Sequence, residues 1–193
     1  MQKILLVVLI AVSMVLVGCG KKAKNEQPAI PTITITEAQL KLKELSAGLE
    51  VREDDMKEVT YCLGNVDSDV YSPIWIVPYV VIDKEFKVEL YKNTLYVGNE
   101  PLNFSKLYVK TKSGVEKFQC KNIVKSYAGE EYNGVMDSAL YAKLKEAVAE
   151  GYGKFRLEGR LSDERELTTD ELWDMEKVFE LYEFFKRVKV VNI

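Results

Sequence analysis

The sequence predicts an α+β domain: an antiparallel sheet of about five to seven strands with two or three helices packed on one face. Three observations carry this. Short β-type segments follow one another from Val59 to Tyr127, separated by turn residues. Two stretches nearer the carboxyl end repeat apolar residues at helical spacing behind capping residues. Strands and helices do not alternate regularly, as a parallel βαβ sheet would require. A closed or half-closed barrel is the competing arrangement.

Composition narrows the chemistry. The chain has 193 residues, with 27 Lys plus Arg, 30 Asp plus Glu, no histidine and a net charge of -3. That length suits a single domain, here residues 36–193, and buries a core without help from a disulfide or a metal. Without histidine there is no Ser-His-Asp or Cys-His catalysis and no histidine zinc site. The mildly acidic balance argues against nucleic acid, which calls for a basic footprint. No cofactor and no metal site are expected.

The amino terminus reads as an address. Met1-Gln2-Lys3 is a short basic segment, and Ile4 to Val17 is apolar apart from Ser13. That run is shorter than the roughly 20 residues of a membrane-spanning helix and suits a signal peptide. It ends in Leu16-Val17-Gly18-Cys19, which resembles the bacterial lipobox. Residues 1–18 are then the lipoprotein signal peptide, and Cys19 carries the lipid on its thiol. Residues 19–35 form a tether whose Lys21, Lys22 and Lys24 either solubilise it or touch anionic headgroups. The expected location is the extracytoplasmic face of a bacterial membrane, anchored by the Cys19 lipid.

The elements follow in order. Thr32 to Thr36 alternates Thr and Ile, as a short edge strand or the extended end of the tether. Glu37 to Leu49 reads as a helix with Thr36 as N-cap and Gln39 completing a capping box; Gly48 ends it, or the helix runs on to Asp54. Val59 to Leu63 is a strand, and Gly64 to Ser72 a polar loop. Ile74 to Ile82 is almost continuously apolar, which suits a strand covered on both faces. Its Pro78 lacks an N–H and marks an edge or a bulge. After a turn at Asp83-Lys84, Phe86, Val88 and Leu90 alternate with Lys87, Glu89 and Tyr91 as a half-buried strand. Thr94 to Val97 reads as a further short strand, and Gly98 to Asn103 as a loop.

Leu107 and Val109 alternate with Lys106, Tyr108 and Lys110, and Lys112-Ser113-Gly114 turns the chain into Val115 to Cys120, a hairpin. Ile123 to Tyr127 extends the sheet. Met136, Leu140, Leu144 and Val148 make a helical stripe over Ser138 to Ala149, capped by Asp137 and released at Gly151 and Gly153. Phe155 and Leu157 alternate with Lys154, Arg156, Glu158 and Arg160. Ser162 to Leu167 reads as a charged loop. Thr168 with Glu171 boxes the last helix, whose core stripe is Leu172, Met175, Phe179, Tyr182 and Phe185. Lys186, Arg187 and Lys189 favour its carboxyl end.

A set of scattered residues carries a family likeness: Asp55, Val59-Thr60-Tyr61, Pro73, Tyr79 and Leu90, then Phe104, Glu130-Glu131, Leu144, Arg156-Leu157-Glu158-Gly159, Leu167-Thr168 and Leu181-Tyr182-Glu183. Over residues 48–186 the chain resembles an uncharacterised domain family of bacterial lipoproteins and secreted proteins. These motifs are structural, and the resemblance implies no catalytic residue.

Candidate sites are few. Cys62 and Cys120 are the cysteines left beside Cys19, and outside the cytoplasm they form either a disulfide or two buried free thiols. Asp67, Asp69, Glu130 and Glu131 are loop carboxylates; paired across a cleft they would suit glycoside hydrolysis or a hard cation, and otherwise they are solvated acids. Arg156, Arg160 and Arg165 could bind an anion, or pair with neighbouring glutamates on a wet strand face. The aromatics Trp75, Tyr79, Tyr91, Tyr96 and Tyr108 are the best ligand or partner surface, since Tyr and Trp join apolar area to a polar handle. If Tyr91 and Tyr108 share an outer sheet face they form a platform; alternatively the helices cover them. The function expected is a noncatalytic binding or scaffold domain with an envelope protein partner. The alternatives are a carboxylate-dependent envelope hydrolase and a lipoprotein binding a small ligand or anion.

Overall fold

The computed structural model describes residues 30–64, 73–126 and 129–192. The signal peptide, Cys19, most of the tether, Asp67, Asp69 and Tyr127 lie outside the described residues. Strand β1 (Thr32–Thr34) runs directly into helix α1 (Ile35–Leu45). The cap is Thr34 rather than Thr36: its hydroxyl accepts from the Glu37 N–H at 3.2 Å, and the Glu37 carboxylate accepts from the Thr34 N–H at 2.7 Å. An ionised carboxylate at the positive end of the helix outcompetes the neutral Gln39 amide. These bonds hold the Glu37 carboxyl below the ordinary glutamate range. The helix stops at Ser46. The chain then turns through Gly48, at φ 90°, into strand β2 (Glu50–Asp54) instead of continuing as helix to Asp54.

β2 forms a hairpin with β3 (Val59–Leu63). β4 (Ile74–Asp83) and β5 (Val88–Tyr96) pair along their whole length, from Ile82↔Val88 to Ile74↔Tyr96. The stretch at Thr94 therefore belongs to β5 and is not a strand of its own. Next come the hairpin β6 (Lys106–Thr111) and β7 (Gly114–Gln119), then β8 (Val124–Ser126) and β9 (Gly129–Val135). α2 (Ser138–Glu150) is capped by Asp137 and closed by Gly151 in the left-handed region. β10 (Lys154–Glu158) is followed by β11 (Ser162–Glu166), so the expected charged loop is a strand. α3 (Thr169–Arg187) carries the foreseen Thr168–Glu171 capping box. β12 (Lys189–Val191) then pairs in parallel with β1.

The α+β class stands, with three helices on antiparallel sheets. The six-stranded sheet, ordered β2-β3-β4-β5-β9-β8, falls within the expected five to seven strands, and a four-stranded sheet, β11-β10-β6-β7, and the small β1–β12 pair stand beside it. Pro78 lies within a central strand but one residue past the last β3 pair, Leu63↔Tyr79, so no β3 partner stands opposite the N–H it lacks.

Register separates the two faces of the six-stranded sheet. Cys62, Val80 and Leu90 stand in one row, and Ile76, Thr94 and Tyr132 in another, all on the inner face. α3 packs against β3, β4 and β5. Its Leu172, Met175, Val178, Phe179, Leu181 and Phe185 join the inner-face residues in one buried cluster. α2 packs on β6 and against α3. The α2–α3 seam is fastened by Tyr141, whose ring meets Phe179 edge-on at 5.1 Å. The Tyr141 hydroxyl donates to Glu183 at 2.5 Å. Glu183 also accepts from Lys145 at 2.9 Å and from Arg187; these partners pull its carboxyl down to about 2. Lys143, nearly buried, ties α2 to the β6–β7 hairpin through Thr111 at 2.8 Å and Ser113 at 3.0 Å.

A charged side chain also sits on the inner face. Lys92 is 2% exposed. Its Nζ donates to the Val135 carbonyl at 2.9 Å and lies 4.6 Å from the centre of the Tyr132 ring. Burial lowers its pKa.

Candidate functional site

The outer face of the six-stranded sheet is built from the alternate residues of the same strands. Tyr61 and Leu63 come from β3, Trp75, Val77 and Tyr79 from β4, Tyr91, Asn93 and Leu95 from β5, and Glu131, Asn133 and Val135 from β9. The aromatic and aliphatic members of this set stand outside the buried core cluster. Tyr79 stacks on Tyr91 at 5.4 Å and 17°, and Tyr61 tilts against Tyr79 at 6.4 Å and 41°. This diagonal ladder buries Tyr79 to 9% exposure with no helix involved. The Tyr79 hydroxyl donates to Asn133 Oδ1 at 2.8 Å, and the Tyr91 hydroxyl to Glu89 at 2.8 Å. Burial raises the Tyr79 pKa, and the Glu89 bond raises that of Tyr91, so both phenols stay protonated donors at neutral pH.

Beside this ladder the β2–β3 hairpin rises and encloses an open cavity of about 810 Å³. Its floor is Tyr61, Leu63, Val77, Tyr79, Asn93 and Asn133, and its rim runs along Glu50 to Met56. Within the floor, Asn93 Oδ1 is buried without a hydrogen-bond partner.

Of the aromatics singled out from sequence, Trp75, Tyr79 and Tyr91 share this face. Tyr96 is opposite Ile74 on the inner face and packs on the core, where burial raises its pKa. Tyr108 belongs to the other large sheet, so the expected platform of Tyr91 with Tyr108 does not form. Tyr108 instead lies under Arg156, 4.4 Å from guanidinium to ring centre.

Arg156 also reaches Glu158 at 3.3 Å. Arg160 is exposed on the link between β10 and β11, and Arg165 is held by Glu171 and by the Ile74 carbonyl. The three arginines therefore do not converge on an anion. Glu130 is buried, accepting from the Asn103 and Phe104 N–H groups at 2.8 and 3.1 Å, while its neighbour Glu131 stands on the outer face. Cys62 and Cys120 are buried free thiols, raised by burial to about 11 and about 12.

The residues that sequence reading missed are Tyr61, Asn93, Asn133 and the hairpin rim. Asn93 had a signal: it occupies an outer position of an alternating strand, where it can only face away from the core. Asn133 had none, because β9 has no apolar period.

No family model matches the chain, and no curated protein matches it; the motif resemblance therefore hands on no activity. Among solved structures the chain is similar to invasion associated protein B from Bartonella henselae, with 13% identity over 72% of this chain and 94% of that one, and a TM-score of 0.42. A likeness of that degree carries neither fold nor function across. Among the described residues no helix is long and apolar enough to cross a membrane.

Proposed function

We propose that the chain is an extracytoplasmic binding module, held to a bacterial membrane through the Cys19 lipid and binding its ligand or envelope partner in the outer-face cavity. The observation that supports this most is the open cavity of about 810 Å³ floored by tyrosines and asparagines on a sheet face whose side chains stand outside the cluster packed under α3. Concave sites with aromatic walls and a few placed polar groups are the usual form of a binding site. The reading is of a noncatalytic module: the Tyr79 and Tyr91 phenols are raised and serve as hydrogen-bond donors, and the chain has no histidine for Ser-His or Cys-His chemistry.

The test is photocrosslinking in intact envelopes, with a benzoylphenylalanine placed at Tyr61 in the cavity or at Tyr108 on the other sheet. A discrete adduct from position 61 and none from 108 is expected. Adducts at both positions, or at neither, would overturn the binding reading. In parallel, Cys19→Ala should move the protein from the membrane fraction to the soluble one and abolish labelling by radioactive palmitate; unchanged fractionation would remove the anchor.

A further inference from the structure

Resting on the cavity as a binding site, we infer that it takes a cationic donor, the guanidinium or ammonium of a basic peptide segment. The argument begins with what the cavity offers. Its lining carries four carboxylates, Glu50, Glu53, Asp54 and Asp55, against the Arg52 guanidinium and, behind the rim, the Lys57 ammonium held between Asp54 and Tyr61. Arg52 is already engaged by Glu50 at 2.7 Å, and Asp54 by Lys57 at 3.3 Å. Glu53 and Asp55 have no ion-pair partner among the described residues. In the floor, Asn93 Oδ1 is buried out of a ligand's reach and Asn133 Oδ1 is used by Tyr79, so the open acceptors are the rim carboxylates.

The unfilled capacity is thus for accepting hydrogen bonds and balancing positive charge, which a guanidinium or ammonium supplies and an anion does not. The ring faces agree. A cation over a tyrosine is attracted by its quadrupole, and this chain already pairs Lys92 with Tyr132 at 4.6 Å and Arg156 with Tyr108 at 4.4 Å. The size and the apolar floor favour a peptide over a free amine. The cavity exceeds one guanidinium many times over, and Leu63 and Val77 beside the rings receive the methylene stem of an Arg or Lys.

The experiment titrates the full-length chain in detergent micelles with a dye-labelled, end-capped Gly-Arg-Gly-Arg-Gly peptide, read by fluorescence anisotropy. A second peptide has glutamine in place of both arginines. Saturable binding is expected for the arginine peptide and at least about tenfold weaker binding for the glutamine one. Tyr61→Ala and Asp55→Asn should each weaken the arginine peptide several-fold, and Tyr61→Phe, which keeps the ring, should not. A double variant on remote surfaces, Glu116→Gln with Glu176→Gln, should bind within about twofold of the parent, since exposed charges a Debye length away are screened.

Equal binding of the two peptides would overturn the cationic inference and leave the cavity reading standing. Equal loss in the remote variant would overturn it as nonspecific attraction, and absence of saturable binding would overturn it outright. In those last two cases the Tyr61 crosslink decides separately whether the cavity binds anything.

Discussion

Strand β4 presents aliphatic and aromatic side chains on both faces, and the two faces end up in different environments. On the inner face Ile74, Ile76, Val80 and Ile82 are 0–2% exposed, pressed by the stripe of α3. On the outer face Trp75, Val77 and Val81 stay half-exposed, and Tyr79 is covered only by the neighbouring tyrosines of β3 and β5. One face is closed by a helix that brings its own apolar surface. The other is closed sideways, ring on ring, which leaves a hollow beside the ladder instead of a core. Apolar character alone does not distinguish them; the difference lies in which side the carboxyl-terminal helix lands on.

The comparison breaks hardest at Phe179, which is 3% exposed at the centre of the α3 stripe. Phe179→Ala should destabilise by about 3 to 5 kcal/mol through lost burial and the cavity left behind. Urea unfolding followed by tryptophan fluorescence measures it, and a loss below about 1 kcal/mol would mean that the helix does not close the inner face through this residue.

Lys92 tests the inner face from the opposite direction, because it is a charge where the rest of its row is apolar. Lys92→Met should stabilise by about 1 to 2 kcal/mol at neutral pH, since a buried ammonium with a single carbonyl acceptor is costly. The pH dependence has a definite sign. The folded pKa lies below the ordinary 10.5, so in the interval between them the unfolded chain binds more protons. Stability from this group is therefore reduced at lower pH and recovers as pH rises from the folded pKa toward 10.5. The methionine variant should lack that alkaline gain relative to the parent. A variant that is less stable with an unchanged alkaline slope would show that the lysine is not paying a burial penalty.

On the outer face the effects should be smaller. Tyr79→Phe keeps the stack and removes only the bond to Asn133, so a loss of about 1 kcal/mol is expected in thermal unfolding. A loss as large as that of Phe179→Ala would make the outer face a second core. Smallest is Lys177→Ala, on the wet side of α3, whose ammonium makes a surface pair with Glu180 at 3.0 Å and lies 5.8 Å from the centre of the Trp173 ring. It should change stability by less than about 0.5 kcal/mol. Urea midpoints for Lys177→Ala and Phe179→Ala that coincide would remove the distinction between the two sides of the helix.

What the sequence by itself determined is what depends on near neighbours. The Thr168–Glu171 box, the Asp137 cap, the Gly151 stop, the two helical stripes and the β6–β7 hairpin are set by residues within a turn or two of each other, and each stands where local chemistry puts it. Only the tertiary structure could make strands of Glu50–Asp54, Gly129–Val135 and Ser162–Glu166. These segments are charged or glycine-bearing, with no apolar alternation, and extend because a partner strand offers its backbone groups: a hairpin neighbour for Val51 opposite Cys62 and for Arg165 opposite Phe155, and the remote β5 for Val135 opposite Tyr91. The candidate site was legible in the same measure. Trp75, Tyr79 and Tyr91 could be named from sequence as aromatic candidates, because residue type alone marks them. That Trp75 and Tyr79 share a face and that Tyr96 opposes Tyr91 follows from alternation once β4 and β5 run unbroken, whereas the stacking of Tyr79 on Tyr91, the place of Tyr108 in the other sheet and the side on which α3 packs were settled by long-range contacts that no local pattern encodes.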